Sequence, residues 1–179
     1  MWKLLIILLA LAVPGRAADL AALAQPGTHL IVRHALAPGT GDPDGFTLRD
    51  CATQRNLDAR GRTQAAVLGA TLRAAGARFD AVLSSQWCRC LETARLMALG
   101  PVTEEPALNS FFGDRARGPA QTRALREVLL AAEGPLLLVT HQVNITALTG
   151  RGVRSGEAFV IRIAPDGAVT VMESVLVDP

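Results

Sequence analysis

The 179-residue chain carries 18 lysines and arginines against 16 acids; half of its residues are hydrophobic and 19% are charged. That length suits one domain with a real core, and that composition excludes a disordered chain. The first segment to set aside is N-terminal. Met1-Trp2-Lys3 is a short positive region, and Leu4 to Val13 is an unbroken apolar run too short to span a bilayer comfortably. Small residues around Ala17 follow. The segment reads as a secretory signal peptide over residues 1–17, cut after Ala17, which leaves residues 18–179 as one domain. Lys3 and Arg16 leave with the signal and no acid does, so 16 arginines, no lysine and 16 acids remain. The mature chain then has a net charge near zero. No basic excess is left to release counterions, so nucleic acid is not an expected partner. No stable membrane span is expected after cleavage, and the expected location is periplasmic or secreted.

Along the mature chain, Thr28 to Arg33 has the pattern of a buried strand, closing on Arg33-His34. Ala35 to Asn56 is a long loop rich in Gly, Pro and Asp. Asp58 can cap a helix running from about Ala59 to Ala75, with Gly76 at its end. Ala81 to Ser84 is a second strand, and Trp87 to Leu99 a helix stopped by Gly100-Pro101. Val102 to Glu105 is a short extended piece, followed by an irregular stretch from Leu108 to Gly118. Ala120 to Ala132 is amphipathic and helical. Leu136 to Thr140 is a buried strand that ends on His141, and Gln142 to Leu148 a short helix. Ala158 to Ile163 and Val169 to Val175 flank Pro165-Asp166-Gly167, a hairpin signal.

Strands alternating with helices predict a three-layer α/β/α architecture with a mainly parallel central sheet and a C-terminal antiparallel hairpin. Right-handed crossovers bring the strand C-termini to one edge, where such sheets bind ligands. Arg33-His34, the segment from Ser84 to Arg89, and Thr140-His141 all fall just past strand ends. Arginines beside histidines at such an edge suit a phosphate, and helices starting there aim N–H groups at the same place. Each histidine alone would more often be a satisfied core residue; the convergence argues otherwise. His29 sits at a strand start and takes no role. Arg55, Arg60 and Arg62 read as a solvated face, although Arg55, after the loop, could reach substrate. Trp87 reads as packing, and Glu92 as a surface acid facing a neighbouring arginine. Of the cysteines, Cys88 and Cys90 lie two apart on a helix and face different directions, so at most one of them can pair with Cys51. The spacings fit no zinc pattern.

The segment LIVRHALAPG resembles the Arg-His signature of the histidine phosphatase superfamily, which includes phosphoglycerate mutases and acid phosphatases. RNLDARGRTQA resembles that family's Leu-x-x-x-Gly-x-x-Gln-Ala helix start. VLSSQWCRCLETA resembles its Ser-Ser-x-x-x-Arg-x-x-x-Thr-Ala segment, and LLLVTHQVNITALTG its second-histidine segment. The four stand in the family's order across residues 28–150. The resemblance implies an exported phosphomonoesterase working through a phosphohistidine intermediate, with no metal and no cofactor. His34 would be the nucleophile, Arg33 and Arg89 the phosphate clamp, and His141 the partner that stabilises the transferring group. A small phosphorylated substrate or a phosphorylated glycan would be the partner. A sugar phosphate is one form; a periplasmic subgroup suggests lipopolysaccharide core phosphate. The alternative is a non-catalytic phosphate- or phosphosugar-binding protein on the same fold.

The departures concern the proton donor. Ala35 replaces a glycine, a small change. The mutase-like branch has Leu-x-Glu where this chain reads Leu108-Asn109-Ser110, and the acid-phosphatase branch has His-Asp where it reads His141-Gln142. Asp114 in FFGDR is the candidate acid, with Glu104, Glu105 and Asp50 as alternatives.

Overall fold

The computed structural model describes residues 20–178, so the expected signal peptide lies outside the described residues. β1 (Thr28–Arg33), β2 (Ala81–Ser84), β3 (Val102–Glu104) and β4 (Leu136–Thr140) run parallel, and β5 (Ala158–Ile163) and β6 (Val169–Val175) close the sheet in antiparallel fashion. The order across the sheet is β3-β2-β4-β1-β5-β6. β1 and β4 lie in the middle, which is why both read as unbroken apolar runs rather than alternating ones. The turn of the β5–β6 hairpin forms as its sequence predicts. Gly167 takes φ +82°, and the Asp166 carboxylate accepts the Ala168 N–H at 2.9 Å.

Alternation along each strand feeds two cores. Leu30 and Val32 of β1 point to one face, where they meet Leu68 and Leu72 of α1 (Ala59–Ala74) and Ala94 and Met97 of α2 (Cys88–Met97). Ile31 points to the other face, against Leu125 and Leu129 of α3 (Gly118–Leu130) and Leu148 of α4 (Gln142–Thr149). Helices on both faces make the three-layer arrangement that the alternation of elements predicts.

The helix boundaries differ where local chemistry decides them. α3 begins two residues earlier than its amphipathic pattern suggests, because Pro119 fits the first turn, where its missing N–H is not needed. α2 begins one residue later and ends at Met97, where Ala98 adopts the left-handed conformation, φ 51°. The irregular stretch after β3 contains two short 3-10 turns, Pro106–Leu108 and Arg115–Arg117. Asp58 caps α1 as expected, its side chain accepting the Gly61 N–H at 2.7 Å.

Candidate active site

The parallel strands end at one edge, and their last residues carry the chemistry. Arg33 closes β1 and His34 follows it; Thr140 closes β4 and His141 stands at the start of α4; Ser84 closes β2 and leads through Ser85 to Arg89 in α2. The backbone seams are tight: the His34 N–H donates to the Thr140 carbonyl and the Ser85 N–H to the Val139 carbonyl, both at 2.9 Å.

His34 is 2% exposed. Its Nδ1 lies 2.8 Å from the Ala35 carbonyl oxygen. A carbonyl only accepts, so Nδ1 carries the proton and Nε2 keeps its lone pair. Burial, and then the charges of Arg89 and Arg33, hold the imidazole well below its ordinary pKa. The ring is therefore neutral at physiological pH, the state a nitrogen nucleophile needs. The His141 ring stands edge-on at 5.5 Å between centroids. Its Nε2 lies 2.8 Å from the Ser85 hydroxyl and 3.4 Å from Cys90 Sγ. Burial, then the neighbouring His34 and Arg89, keep it neutral as well.

The segment after His34 is fixed from behind by α1. The Gln64 carboxamide accepts the Leu36 N–H at 3.0 Å and donates to the Ser155 and Val177 carbonyls. Gly61 lets α1 approach so closely that a Cβ there would strike the Leu36 carbonyl. The glycine and glutamine of RNLDARGRTQA are thus packing residues that hold the loop behind His34. Thr93 completes the support, its hydroxyl oxygen accepting the Ala35 N–H at 3.0 Å.

A cavity of about 610 Å³ opens at this edge, and Arg33, His34, Arg89, His141 and Asp114 all line it. Asp114 lies at its exposed mouth. The other three candidate acids are elsewhere and occupied. Glu105 accepts the Ala107 N–H at 2.8 Å, Asp50 the Ala52 N–H at 3.0 Å, and Glu104 bonds the Gln86 carboxamide at 3.0 Å. None of them lines the cavity. Ser110, in the mutase-type acid position, lines the cavity without a carboxylate; its neighbour Asn109 pins the loop after β2, its Oδ1 accepting the Gln86 N–H at 2.9 Å.

Three further residues join the site. Arg55 lines the cavity half-buried, donating through Nε to the Gly41 carbonyl at 2.6 Å and through Nη1 to the Ala37 carbonyl. It belongs to the site, not to a solvated face. Trp87 packs edge-on against His141 at 5.2 Å between centroids. Asp42, from the long loop, receives the Arg89 fork at 2.6 and 3.0 Å. Only its place downstream of the Arg-His strand could have marked Asp42 in the sequence. Glu92 does face an arginine, Arg62, at 2.6 Å. His29 is buried at the far end of β1, where its Nδ1 accepts the Leu136 N–H at 3.2 Å.

Cys51 and Cys88 form a disulfide, which ties the end of the long loop to the first turn of α2, one residue from Arg89. Cys90 is free and buried, and burial pushes its thiol up to about 12, so it is inert at neutral pH. Among the described residues no group of three or more His, Cys, Asp or Glu side chains could hold a metal ion.

No curated protein sequence matches the chain. Solved structures share its fold. The protein histidine phosphatase SixA, solved with tungstate, superposes with a TM-score of 0.62 at 15% identity, covering 83% of this chain and 96% of SixA. YhfR of Bacillus stearothermophilus gives 0.60 at 17%, covering 82% and 95%. The putative phosphohistidine phosphatase SixA of Agrobacterium tumefaciens gives 0.58 at 17%, covering 86% and 100%. The model of the histidine phosphatase superfamily (branch 1) matches residues 29–128, a span that holds the Arg-His strand, the α1 glycine and glutamine, and Arg89. More than half of the sequence fits that model, and the chain belongs to the histidine phosphatase superfamily, branch 1, as a phosphatase of the histidine type.

Proposed function

We propose that this protein is an exported phosphomonoesterase that passes a phosphoryl group through His34. The observation that carries the reading is the state of that histidine: buried, neutral, with its proton fixed on Nδ1 by Ala35 and flanked by Arg33 and Arg89 in one cavity. Nε2 attacks phosphorus as the bond to the leaving oxygen breaks. The two guanidiniums neutralise charge gathering on the phosphoryl oxygens, and His141 stands across the pocket from the attacking ring. Asp114, at the mouth, gives a proton to the leaving alkoxide. Its carboxylate then takes one from the water that cleaves the phosphohistidine, releasing inorganic phosphate. Arginines supply the charge that a metal would otherwise bring.

Two observations support export. The sequence places an apolar run and a small-residue cleavage site over residues 1–17. The Cys51–Cys88 disulfide suits an oxidising compartment. Among the described residues no helix is long and apolar enough to cross a membrane. The proposed substrate, a sugar phosphate or a phosphate on the lipopolysaccharide core, rests on the expected compartment and on the resemblance to a periplasmic subgroup, and the cavity of about 610 Å³ leaves room beyond the phosphoryl group for the leaving portion. The absence of a carboxylate at Ser110 and Gln142 favours one alternative, a protein that binds phosphate or phosphosugars without turnover. Phosphate release from a panel of sugar phosphates, an aryl phosphate and a phosphohistidine peptide separates the two. The peptide probes the activity of the protein histidine phosphatase SixA, whose fold this chain shares. Release above the rate without enzyme is expected. Tight binding of inorganic phosphate with no release from any of them would favour the alternative.

A further inference from the structure

We propose that Asp42 is a positioning residue of the phosphate clamp, fixing Arg89 and Trp87 where a phosphoryl group requires them. The inference rests on the phosphatase reading of the same site. Its basis is the completeness of this carboxylate's bonds. Oδ1 accepts Arg89 Nη1 at 2.6 Å and the Arg55 backbone N–H at 3.2 Å. Oδ2 accepts Arg89 Nη2 at 3.0 Å and the Trp87 indole Nε1–H at 3.0 Å. Each oxygen thus has two donors. The pair is sealed from water, with side-chain exposures of 3% for Arg89 and 8% for Asp42.

A carboxylate in this state is a poor proton donor and a good anchor. Burial alone would raise its pKa, but the Arg89 bond and charge, with the Arg55 amide and the Trp87 indole, hold it below its ordinary value. It stays ionised, which leaves the acid role to Asp114. The end-on fork of Arg89 is a planar, bidentate contact, so it sets the orientation of the guanidinium and not merely its distance. Through the indole, the same carboxylate also holds the wall that packs edge-on against His141. One loop residue therefore governs two arms of the pocket. The loop that carries it is itself held by Arg55, whose guanidinium bonds the Gly41 and Ala37 carbonyls.

Arg33, Arg55, Arg89 and Arg117 line the cavity together with Asp42, Asp44 and Asp114, so the loss of one carboxylate makes the pocket more positive. Removing the Asp42 charge therefore sets two expectations against each other. Simple attraction predicts tighter phosphate binding, because the pocket becomes more positive. Positioning predicts weaker binding, because the guanidinium loses its fixed orientation and the neutral amide turns a donor toward it.

The test is calorimetric titration of inorganic phosphate into wild-type protein and Asp42→Asn, with circular dichroism confirming that the variant is folded at the assay temperature. Weakening by roughly 10–100-fold is expected, the range for a residue that orients a ligand-binding group. In kinetics, KM should rise by a similar factor on both an aryl and an alkyl phosphate. Arg89→Lys should weaken phosphate on its own, and adding Asp42→Asn to it should cost little more, because no fork is left to hold. If Asp42→Asn does not fold, Asp42→Glu asks the same question. It keeps the charge and displaces the carboxylate by one methylene, so weaker binding by folded protein supports the proposal and unchanged binding overturns it. Tighter or unchanged phosphate binding by Asp42→Asn overturns it. So does a loss confined to alkyl leaving groups, which would make Asp42 the acid. Phosphate binding that weakens as expected, in a protein that hydrolyses no monoester, would sink the phosphatase reading and leave the positioning role standing.

Discussion

Removing the Cys51–Cys88 bridge should loosen both the fold and the phosphate clamp. The bridge closes a loop of 37 residues, which contains α1 and β2. Loop-closure entropy for that length stabilises the native state by about 4 kcal/mol at 25 °C, taking the chain-entropy view. A domain of this size gains roughly 0.3 kcal/mol per kelvin of unfolding entropy, so the loss corresponds to a fall in Tm of about 12 °C. The appropriate variant is Cys51→Ser with Cys88→Ser, which leaves no odd surface thiol. Paired urea and thermal melts against oxidised protein read the effect. The change should also reach catalysis, because Cys88 precedes Arg89 and its N–H donates to the Gln54 side chain at 3.0 Å. KM should therefore rise in the folded double variant. A stability loss below about 1 kcal/mol with an unchanged KM would refute the reasoning. Thiol counting on denatured oxidised protein should find one free cysteine, Cys90; three would remove the bridge altogether.

Acid should destabilise the fold through its histidines. Burial holds His29, His34 and His141 below the ordinary value near 6.5. Below that pH the unfolded chain binds more protons than the native one, so stability is present above about 6.5 and lost as pH falls toward the native values. Each ring contributes at most about 1.4 kcal/mol per pH unit in that window, and melts between pH 7.5 and 5 should show the decline; a Tm flat to pH 5 would contradict it. Activity should survive EDTA, because guanidiniums supply the positive charge; loss restored by a divalent ion would overturn this. Asp114→Asn should slow hydrolysis of an alkyl phosphate by roughly 10²–10⁴-fold and scarcely touch a nitrophenyl phosphate, which leaves without protonation. Equal losses on both would withdraw the acid assignment.

Much of the fold was legible because each strand carried a local signal. β1 and β4 are continuous apolar runs closing on histidine, and Pro165-Asp166-Gly167 marks the hairpin turn. The four pocket residues Arg33, His34, Arg89 and His141 could be placed because parallel strands must end together. What stayed hidden depends on long loops. Asp42 and Arg55 are brought to Arg89 by a segment with no periodicity, held by side-chain bonds to carbonyls that no pattern encodes. Trp87 read as packing, which it is, but the surface it packs on is His141. The choice among acids was likewise out of reach. Glu104, Glu105 and Asp50 differ from Asp114 in what local backbone or side-chain group each one bonds.

The central claim is that phosphate passes through His34, and it can be read directly. Rapid mixing with substrate, a quench that avoids acid, and peptide mass spectrometry should locate a phosphoryl group on His34. The His34→Ala variant, folded by circular dichroism, should show neither the adduct nor turnover. A phosphoryl group trapped on another residue, or turnover near the wild-type rate in His34→Ala, would contradict the mechanism.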